Sequence, residues 1–319
     1  MSNGKSGRKK LVELLAGIII LVIASMLGIN ISDIIPDQTN EQQLVTSEQN
    51  VEGNLMLHMI DVEQADSFLL VQDGQTALID CGTRTTGDNV VKYLDNLGIA
   101  KLDYVFGTHP HDDHMGGMYD VITNFEIGKI ILPEIKEGEV TTNWYIKLMK
   151  EIKVSKHELE YAEVGTVYTL GDAAMEVIGP ISKPDGELNN YSTVLKISFG
   201  EMDIITTGDA EKEVEEEIVA SGRNIDAEIL KVGHHGSDTS TTDEFLNAVD
   251  PNYALISTGN KYGHPIKSTL EKLERKQVEV YRTDENGSVV VTITPNDLTF
   301  SCEPGDYLSG DELKVRDKR

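Results

Sequence analysis

The chain is poor in cysteine and in basic residues, and both shortages exclude classes of protein. Two cysteines, Cys81 and Cys302, among 319 residues cannot build a disulfide-dense scaffold. Only 28 Lys and Arg stand against 54 Asp and Glu, so the formal net charge is −26. A broad surface for nucleic acid or anionic lipid is disfavoured, because binding phosphate groups needs clustered Lys and Arg. With 39 % hydrophobic residues the chain can offset its ordering entropy, which excludes a fully disordered protein.

A long apolar run lies near the amino terminus. Residues 1–10 carry four Lys and Arg and no acid, and residues 11–29 are interrupted only by Glu13 and Ser25. At 1.5 Å per residue a helix of this length nearly spans the roughly 30 Å hydrocarbon layer. We therefore expect residues 11–29 to anchor the chain in the cell membrane as a single pass, with the basic flank cytoplasmic and the remainder extracytoplasmic. The alternative is a signal peptide that is cleaved on secretion.

Composition divides the rest of the chain into three segments. Residues 30–53 are polar, rich in Gln, Asn and Glu and without sustained periodicity, which predicts a flexible linker. Residues 54–302 have no internal linker and predict one domain. Residues 303–319 are charged and predict a solvated, disordered tail.

Short apolar runs alternate with amphipathic segments throughout residues 54–302. Runs such as SFLLVQ, TALID and DIITTGD are typical of strands. Helices are expected near residues 88–97, 115–124, 141–153, 211–221, 242–249 and 267–276. This order of elements predicts an α/β protein in which helices cover layers of sheet.

A cluster of potential metal ligands follows the strand-like run YVFGT. His109, His111, Asp113 and His114 form the pattern H-x-H-x-D-H. Imidazole nitrogens and carboxylates suit zinc, manganese or iron. So many ionisable groups within six residues would be unfavourable without a cation, since like charges repel and desolvation is costly. A polar loop that is rich in histidine by chance is the alternative.

Other strand-like runs also end in ligand-type residues. Asp80 follows TALI, Asp209 follows IITTG, and His234 and His235 follow LKVG. Each alone is ordinary, because a strand-end Asp often caps a helix or forms a turn. Together they predict a binuclear metal site built from loops at one edge of a sheet.

In their order, these motifs resemble the metallo-β-lactamase superfamily. The stretches that carry the resemblance are IDVEQADSFLL, LIDCGT, THPHDDHMGG, LNNYSTVLKISFG, TTGDAE, ILKVGHHGSDTS and TGNKYGHP. More narrowly, they are similar to the metallo-hydrolase domain of ComEC-type competence proteins and to stand-alone enzymes such as cell-surface phosphorylcholine esterases. The resemblance covers nearly all of residues 55–302. It implies an αββα sandwich, here preceded by the membrane helix, with two divalent metal ions, zinc or manganese, at the common edge of two sheets.

The resemblance also implies roles for individual residues. It assigns His109 and His111 to one metal and Asp113 and His114 to the second. Asp209 would bridge the two ions, and either His234 or His235 would complete the second site. Asp80 would orient ligand histidines through their other ring nitrogen.

The sequence departs from the family pattern in two places. Between His114 and Asp209 the only histidine is His157, which lies in no motif, and Asn189-Asn190-Tyr191-Ser192 stands where the superfamily often has a further ligand. The first metal is therefore expected to have fewer protein ligands. The family loop Asp-Val-Gly-Gln-Gly-Asp is present as residues 61–66 with both glycines replaced.

The expected chemistry is hydrolysis by a metal-activated water. Asp113 or Asp209 would take the proton. His264 would contact a substrate oxygen or protonate the leaving group, with an ordinary loop histidine as the alternative. The remaining candidate substrate contacts are Asn190, Ser192, Lys231 and Ser237. Lys231 has the alternative role of an ordinary strand residue.

The expected substrate is a phosphodiester outside the membrane. Cleavage of DNA by a ComEC-like nuclease and cleavage of an envelope phosphodiester both fit, whereas a lactamase or lactonase fits less well. From other classes of protein, a catalytically silent surface binding domain and an accessory partner of a DNA-uptake channel remain as alternatives. The sequence identifies no protein partner.

Overall fold

The computed structural model describes residues 53–136, 138–184, 186–259 and 261–316. The expected membrane anchor and nearly all of the expected linker fall on residues 1–52 and so lie outside the described residues. Within the described ranges, no helix is long and apolar enough to cross a membrane.

Fifteen strands form two sheets in the described part of the chain. The first sheet has the order β15-β14-β1-β2-β3-β4-β5-β6 and the second has the order β13-β12-β11-β10-β9-β8-β7. The strands are β1 Leu55–Met59, β2 Phe68–Gln72, β3 Gln75–Ile79, β4 Lys101–Phe106, β5 Glu126–Leu132, β6 Glu158–Tyr161, β7 Val167–Leu170, β8 Ala173–Gly179, β9 Val194–Phe199, β10 Met202–Thr206, β11 Ile229–Lys231, β12 Tyr253–Ile256, β13 Glu279–Arg282, β14 Val289–Thr294 and β15 Asp297–Phe300.

Helices connect the strands and cover both sheets. They are α1 Gly87–Asn96, α2 Asp112–Met115, α3 Met118–Asn124, α4 Asn143–Val154, α5 Lys212–Ala220, α6 Asp243–Val249, α7 Lys267–Arg275, α8 Thr283–Asn286 and α9 Gly310–Arg316. Five of the six expected helices lie within two residues of their predicted bounds. The sixth, expected at 115–124, is divided into α2 and α3 at Gly116 and Gly117.

The glycine at position 117 is required by close packing. A Cβ there would lie 2.1 Å from the carbonyl oxygen of Cys81, which follows β3. The backbone of Gly117 itself is helical, with φ of −79°, so its conformational freedom is not needed. Glycine therefore lets the loop after β4 lie directly against the end of β3.

Three apolar layers hold the fold together. One lies between the sheets and contains side chains such as Leu57, Phe106, Leu195 and Ile229. The second packs α1 to α4 against the outer face of the first sheet, and the third packs α5 to α7 against the second sheet. This arrangement confirms the αββα sandwich, because each sheet buries one face against the other sheet and one against helices.

Strand direction explains where a site can form. Strands β3 to β6 run parallel in the first sheet, and strands β10 to β13 run parallel in the second. Parallel strands end at the same edge of a sheet, so the loops after β3, β4, β10 and β11 lie together.

The carboxyl-terminal segment is ordered, so the expectation of a solvated, disordered tail is wrong for residues 303–316. Helix α9 begins with a capping box in which the Ser309 Oγ accepts from the Glu312 amide and the Glu312 carboxylate accepts from the Ser309 amide. Leu313 is buried, and the Tyr307 hydroxyl donates to the carbonyl of Val278 at 2.8 Å. The charged composition concealed these specific contacts.

Candidate metal centre

Four loops bring ionisable side chains together at the shared edge of the two sheets. They follow β3, β4, β10 and β11 and contribute Asp80, the H-x-H-x-D-H segment, Asp209 and the His234-His235 pair. Asp80, His109, His114, Asp209 and His235 are each at most 2 % exposed. Burial of so many charged groups is costly unless they pair with each other or with a cation.

Asp209 lies at the middle of the cluster. Its carboxylate oxygens lie 3.2 Å from His114 Nε2, 3.6 Å from His234 Nε2, 3.8 Å from His235 Nε2 and 4.0 Å from His109 Nε2. All four imidazoles therefore direct the same ring nitrogen towards one carboxylate. This is the arrangement expected of a bridging ligand.

The other ring nitrogen of each histidine is held by a neighbour. His114 Nδ1 lies 2.8 Å from Asp80 Oδ2, and His235 Nδ1 donates to the carbonyl of Ser257 at 2.9 Å. His234 Nδ1 lies 3.0 Å from the Thr239 hydroxyl. A donor at Nδ1 fixes the tautomer that leaves the Nε2 lone pair free for a metal.

Asp80 organises the loop after β4 as well as a histidine ring. Its carboxylate accepts from the Thr108 amide at 2.8 Å and from the Thr108 hydroxyl at 2.7 Å. The structure thus places Asp80 where the sequence predicts an orienting residue.

His109 and His111 form a pair, and His109 also contacts Ser192, which precedes β9. His109 Nε2 lies 3.0 Å from His111 Nδ1, and His109 Nδ1 lies 3.2 Å from the Ser192 hydroxyl. The same hydroxyl accepts from the Asp209 amide at 3.0 Å. Ser192 therefore links two of the predicted metal ligands.

The two adjacent histidines at positions 234 and 235 differ in their surroundings. Both have left-handed backbone conformations, with φ of 51° and 53°, and the planes of their rings differ by 66°. Possible ligand atoms of His235, Asp113 and His114 lie within 4.8 Å of one another, as do those of His235, Asp66 and Asp209, whereas neither His234 nor His111 belongs to such a group among the described residues. This geometry favours His235 as the ligand of the second site.

Asp66 is a member of the cluster that the sequence analysis did not select. It is 2 % exposed, its Oδ2 lies 2.5 Å from Lys231 Nζ, and its Oδ1 lies 3.4 Å from His235 Nδ1. The available signal was its place at the end of the family loop Asp61–Asp66. That loop keeps a left-handed residue at Glu63, with φ of 62°, where the family has glycine.

Several ligand atoms in the cluster are buried without a hydrogen-bond partner. They are Asp66 Oδ1, His114 Nε2, Asp209 Oδ1 and His235 Nε2. Leaving such atoms unpaired is costly, so their convergence fits a divalent cation that the nitrogen and carboxylate donors would hold.

The electrostatics of the cluster favour positive charge. Burial opposes ionisation of Asp209, but His114 and His235 outweigh it and hold the pKa of this carboxyl well below its usual range. Burial likewise opposes a charged His235, but Asp209 and Asp66 raise its pKa to about 10. A metal ion binding here has to displace protons from imidazoles, because only a neutral ring donates its lone pair.

Three predicted substrate contacts are corrected by the structure. Ser192 is 0 %, Lys231 1 % and Ser237 5 % exposed. Ser192 lies behind His109, Lys231 pairs with Asp66 and donates to the carbonyl of Gly208, and the Ser237 hydroxyl accepts from Thr239. These side chains position the cluster because their polar atoms are already engaged inside the protein.

Two other predicted residues lie at the rim of the cluster. Asn190 is partly exposed and its side-chain oxygen accepts from the Glu211 amide at 3.1 Å. The His264 ring lies 5.8 Å from that of His234, its Nδ1 is buried without a partner, and burial with the nearby His235 and His234 lowers its pKa to about 4. His264 is therefore neutral at pH 7.

Comparison with known proteins gives one family. The family model described as the metallo-beta-lactamase superfamily matches residues 60–260. ComE operon protein 3 of Bacillus subtilis is 32 % identical, over 77 % of this chain and 34 % of its own. Competence protein ComA of Neisseria gonorrhoeae is 28 % identical, over 72 % of this chain and 31 % of its own. The chain thus spans about a third of the length of these curated relatives.

A solved structure supports the fold. CmlA, a diiron β-hydroxylase from Streptomyces venezuelae, superposes with a TM-score of 0.51 at 12 % identity, over 77 % of this chain and 55 % of that one. At this identity the likeness concerns the architecture alone.

Proposed function

Because the chain belongs to the metallo-beta-lactamase superfamily, we propose that it is a metal-dependent phosphodiesterase with two metal ions, zinc or manganese. The observation that carries this proposal is the convergence around Asp209 of ligand atoms that have no hydrogen-bond partner. A catalytically silent binding domain would bear the desolvation cost of these buried charged groups without gaining catalysis from them.

We assign the ligands to two sets that share Asp209. One consists of His109, His111 and Asp209, and the other of Asp113, His114, His235 and Asp209. In support, His109 and His111 nitrogens lie 3.0 Å apart, and His235 Nε2 lies 3.6 Å from Asp113 Oδ2. Bound cations would supply a water of lowered pKa and stabilise the charge that develops on the phosphate.

The exposure of the side chains indicates which residue accepts a proton and which contacts the substrate. The Asp113 side chain is 35 % exposed, whereas that of Asp209 is 2 % exposed and faces the histidines. Asp113 is therefore the carboxylate that reaches a water at the mouth of the site and takes its proton. His264, neutral at pH 7, donates a hydrogen bond from its ring to a substrate oxygen. Its low pKa argues against protonation of the leaving group.

We propose DNA outside the membrane as the substrate. The resemblance to ComEC-type competence proteins supports DNA, although the net charge of −26 counts against tight binding of a long polyanion. An envelope phosphodiester is the alternative outcome of the test. The extracytoplasmic location depends on the proposed anchor at residues 11–29, as does contact with a membrane.

The test is hydrolysis of end-labelled single- and double-stranded DNA by the full-length protein in detergent, reconstituted with manganese or zinc. We expect cleavage that is lost in the His111→Ala variant. A protein that binds about two metal ions per chain but cleaves no DNA would contradict the nuclease, and bis(4-nitrophenyl) phosphate would then show whether it cleaves any phosphodiester. Unchanged thermal stability after metal removal would instead favour the silent binding domain.

A further inference from the structure

Tyr262 is an exposed aromatic residue in the loop between β12 and α7. It is 85 % exposed, so its ring makes little contribution to the core. Its backbone is left-handed, with φ of 58° and ψ of 11°, a conformation that bulky residues rarely adopt. Neither packing nor backbone preference explains a tyrosine here, and an unexplained conformation of this kind points to a functional role.

Close packing of the following residues fixes the loop that carries Tyr262. A Cβ on Gly263 would lie 2.9 Å from the Asp311 carboxylate of α9. The carbonyl of Pro265 accepts from the Gly310 amide at 3.0 Å, at the start of the same helix. The ordered carboxyl-terminal segment therefore supports this loop from one side and leaves the Tyr262 ring in solvent.

The exposed members of the Asp209 cluster show from which side a ligand can reach it. The side chains of Asp113 and His234 are 35 % and 24 % exposed, whereas that of Asp209 is 2 % exposed. His234 Nε2 lies 3.6 Å from Asp209 Oδ2, so this imidazole extends from the buried carboxylate to the surface. A substrate therefore approaches the cluster past Asp113 and His234.

Tyr262 is joined to this accessible side through His264. The centroid of the His264 ring lies 5.8 Å from that of His234 and 6.2 Å from that of Tyr262. His264 is also the residue to which the proposed function gives a hydrogen bond to a substrate oxygen. A group attached to the phosphate that His264 contacts is therefore within reach of the Tyr262 ring.

A single exposed ring suits a planar group better than an organic cation. Organic cations are typically bound in cages of aromatic rings, and His264 is the only ring in contact with Tyr262 among the described residues. Asp311, beside the same loop, is already paired with Lys314 at 3.3 Å. A nucleobase, by contrast, stacks on one aromatic face.

We propose that Tyr262 stacks on a nucleobase next to the phosphate that His264 contacts. The inference rests on the proposed phosphodiesterase and names the residue that recognises the organic part of its substrate. Stacking does not require positive charge on the protein. It therefore supplies affinity for DNA to a chain whose net charge of −26 disfavours binding of the phosphate backbone.

The first test measures stacking directly and needs no turnover. The metal-loaded full-length protein is titrated with the 5′-phosphate of 2-aminopurine deoxyriboside, whose fluorescence falls when the base stacks, and with methyl phosphate. We expect the nucleotide to be quenched and to bind more tightly than methyl phosphate. Tyr262→Ala should abolish the quenching and raise the Kd of the nucleotide by about 5- to 100-fold, the range typical of losing one stacked base. The Kd of methyl phosphate should hardly change.

Two further variants are the controls for this titration. Tyr262→Phe keeps the ring and should retain both the quenching and the affinity. Tyr161→Ala removes another exposed tyrosine, which is 46 % exposed at the end of β6 in the other sheet, and should leave nucleotide binding unchanged. Equal weakening of the two ligands by Tyr262→Ala, or an equal loss of nucleotide affinity in Tyr161→Ala, would overturn the inference.

Tyr262→Gly separates a binding role from a structural one. Glycine adopts the left-handed conformation without strain, so the melting temperature should not fall. Nucleotide affinity should nevertheless fall as it does in Tyr262→Ala. A lower melting temperature with unchanged nucleotide affinity would show that Tyr262 serves the loop and not the ligand.

Hydrolysis distinguishes failure of this inference from failure of the proposed function. The substrates are thymidine 5′-(4-nitrophenyl phosphate) and methyl 4-nitrophenyl phosphate. Tyr262→Ala should raise the KM of the thymidine substrate with little change in kcat, because stacking is present in both the ground state and the transition state. Cleavage of both substrates with equal kcat/KM would leave the phosphodiesterase standing and remove the stacking site. Cleavage of neither, from a protein whose nucleotide binding still depends on Tyr262, would remove the phosphodiesterase and retain the stacking site.

Discussion

Two buried charged clusters lie in the same sheet sandwich, and they differ in whether their polar atoms are satisfied. In the cluster around Asp209, ligand atoms of four residues lie 3.2–3.8 Å from opposite charges but have no hydrogen-bond partner. The other cluster is centred on Arg282, which is 0 % exposed at the end of β13. Arg282 donates through Nε and Nη2 to Asp284 at 2.9 and 2.8 Å and through Nη1 to the carbonyl of Leu308.

The difference separates a structural cluster from a binding site. Arg282 forms a bidentate pair and fastens the segment before α9, so its charge is balanced within the chain. The carboxylates and imidazoles around Asp209 balance one another only in part. Burial and charge alone would mark both clusters, whereas unpaired atoms that converge on one point mark only the metal centre.

The largest expected effect is on the structural cluster. Arg282→Met should lower the free energy of unfolding by about 3–5 kcal/mol, because it leaves Asp284 buried without its partner. Urea denaturation of the full-length protein measures this. Arg275→Met is the control, since Arg275 pairs with Asp243 at an exposed position and should change stability by less than about 0.5 kcal/mol. Equal effects of the two substitutions would contradict a structural role for the buried pair.

Substitution at the metal centre should mainly reduce hydrolysis and metal binding. Asp209→Asn should reduce phosphodiester hydrolysis by about 10²- to 10³-fold and abolish the metal-dependent rise in melting temperature. The metal-free variant should also be less stable than the metal-free natural protein, because the neutral amide no longer offsets the positive charge on His114 and His235. Asp250→Asn, which alters a surface aspartate paired with Lys276, serves as the control. A metal-induced stabilisation that persists in Asp209→Asn would show that this carboxylate does not bridge the ions.

The sequence predicted the sandwich and the loops that meet around Asp209, because its strand-end residues resemble the ordered motifs of a known family. It could not distinguish residues that contact substrate from residues that support the cluster. Ser192 and Lys231 both lie in the right motifs, and only their burial and partners place them behind the ligands. Asp66 was not selected because its significance depends on contacts with Lys231 and His235, which are distant in sequence. The order of residues 303–316 was not predicted. Arg282 holds this segment through the backbone carbonyl of Leu308, and a backbone contact leaves no pattern of side chains in the sequence.

A buried histidine outside both clusters tests the electrostatic part of the comparison. His58 on β1 contacts only the Tyr93 hydroxyl among described hydrogen-bond partners, at 3.0 Å, and burial lowers its pKa to about 4. The unfolded chain, with a pKa near 6.5, binds the proton more readily. The stability that His58 contributes is therefore complete above pH 6.5 and is lost as the pH falls towards 4, by about 3 kcal/mol in total.

His58→Phe isolates this contribution. Between pH 7.5 and 4 the free energy of unfolding of the natural protein should fall by about 3 kcal/mol relative to that of the variant, because the variant has no group to protonate at this position. Parallel curves would mean that His58 does not titrate differently in the folded state. The result matters for the metal centre, since the raised pKa of His235 is attributed there to carboxylates that His58 lacks.

The smallest expected effect concerns the residue that orients the metal centre without joining it. Asp80→Asn should weaken metal affinity by about 10- to 100-fold, because the amide cannot accept from Thr108 and His114 as the carboxylate does. Asparagine tolerates the left-handed backbone at this position, where φ is 59°, so the loop conformation should survive. The matched control is Asp103→Asn, because Asp103 in β4 also accepts a backbone amide, from Thr76. Metal affinity is measured by competition with a chromogenic chelator. Equal affinities in the two variants would mean that Asp80, like Arg282, has only a structural role.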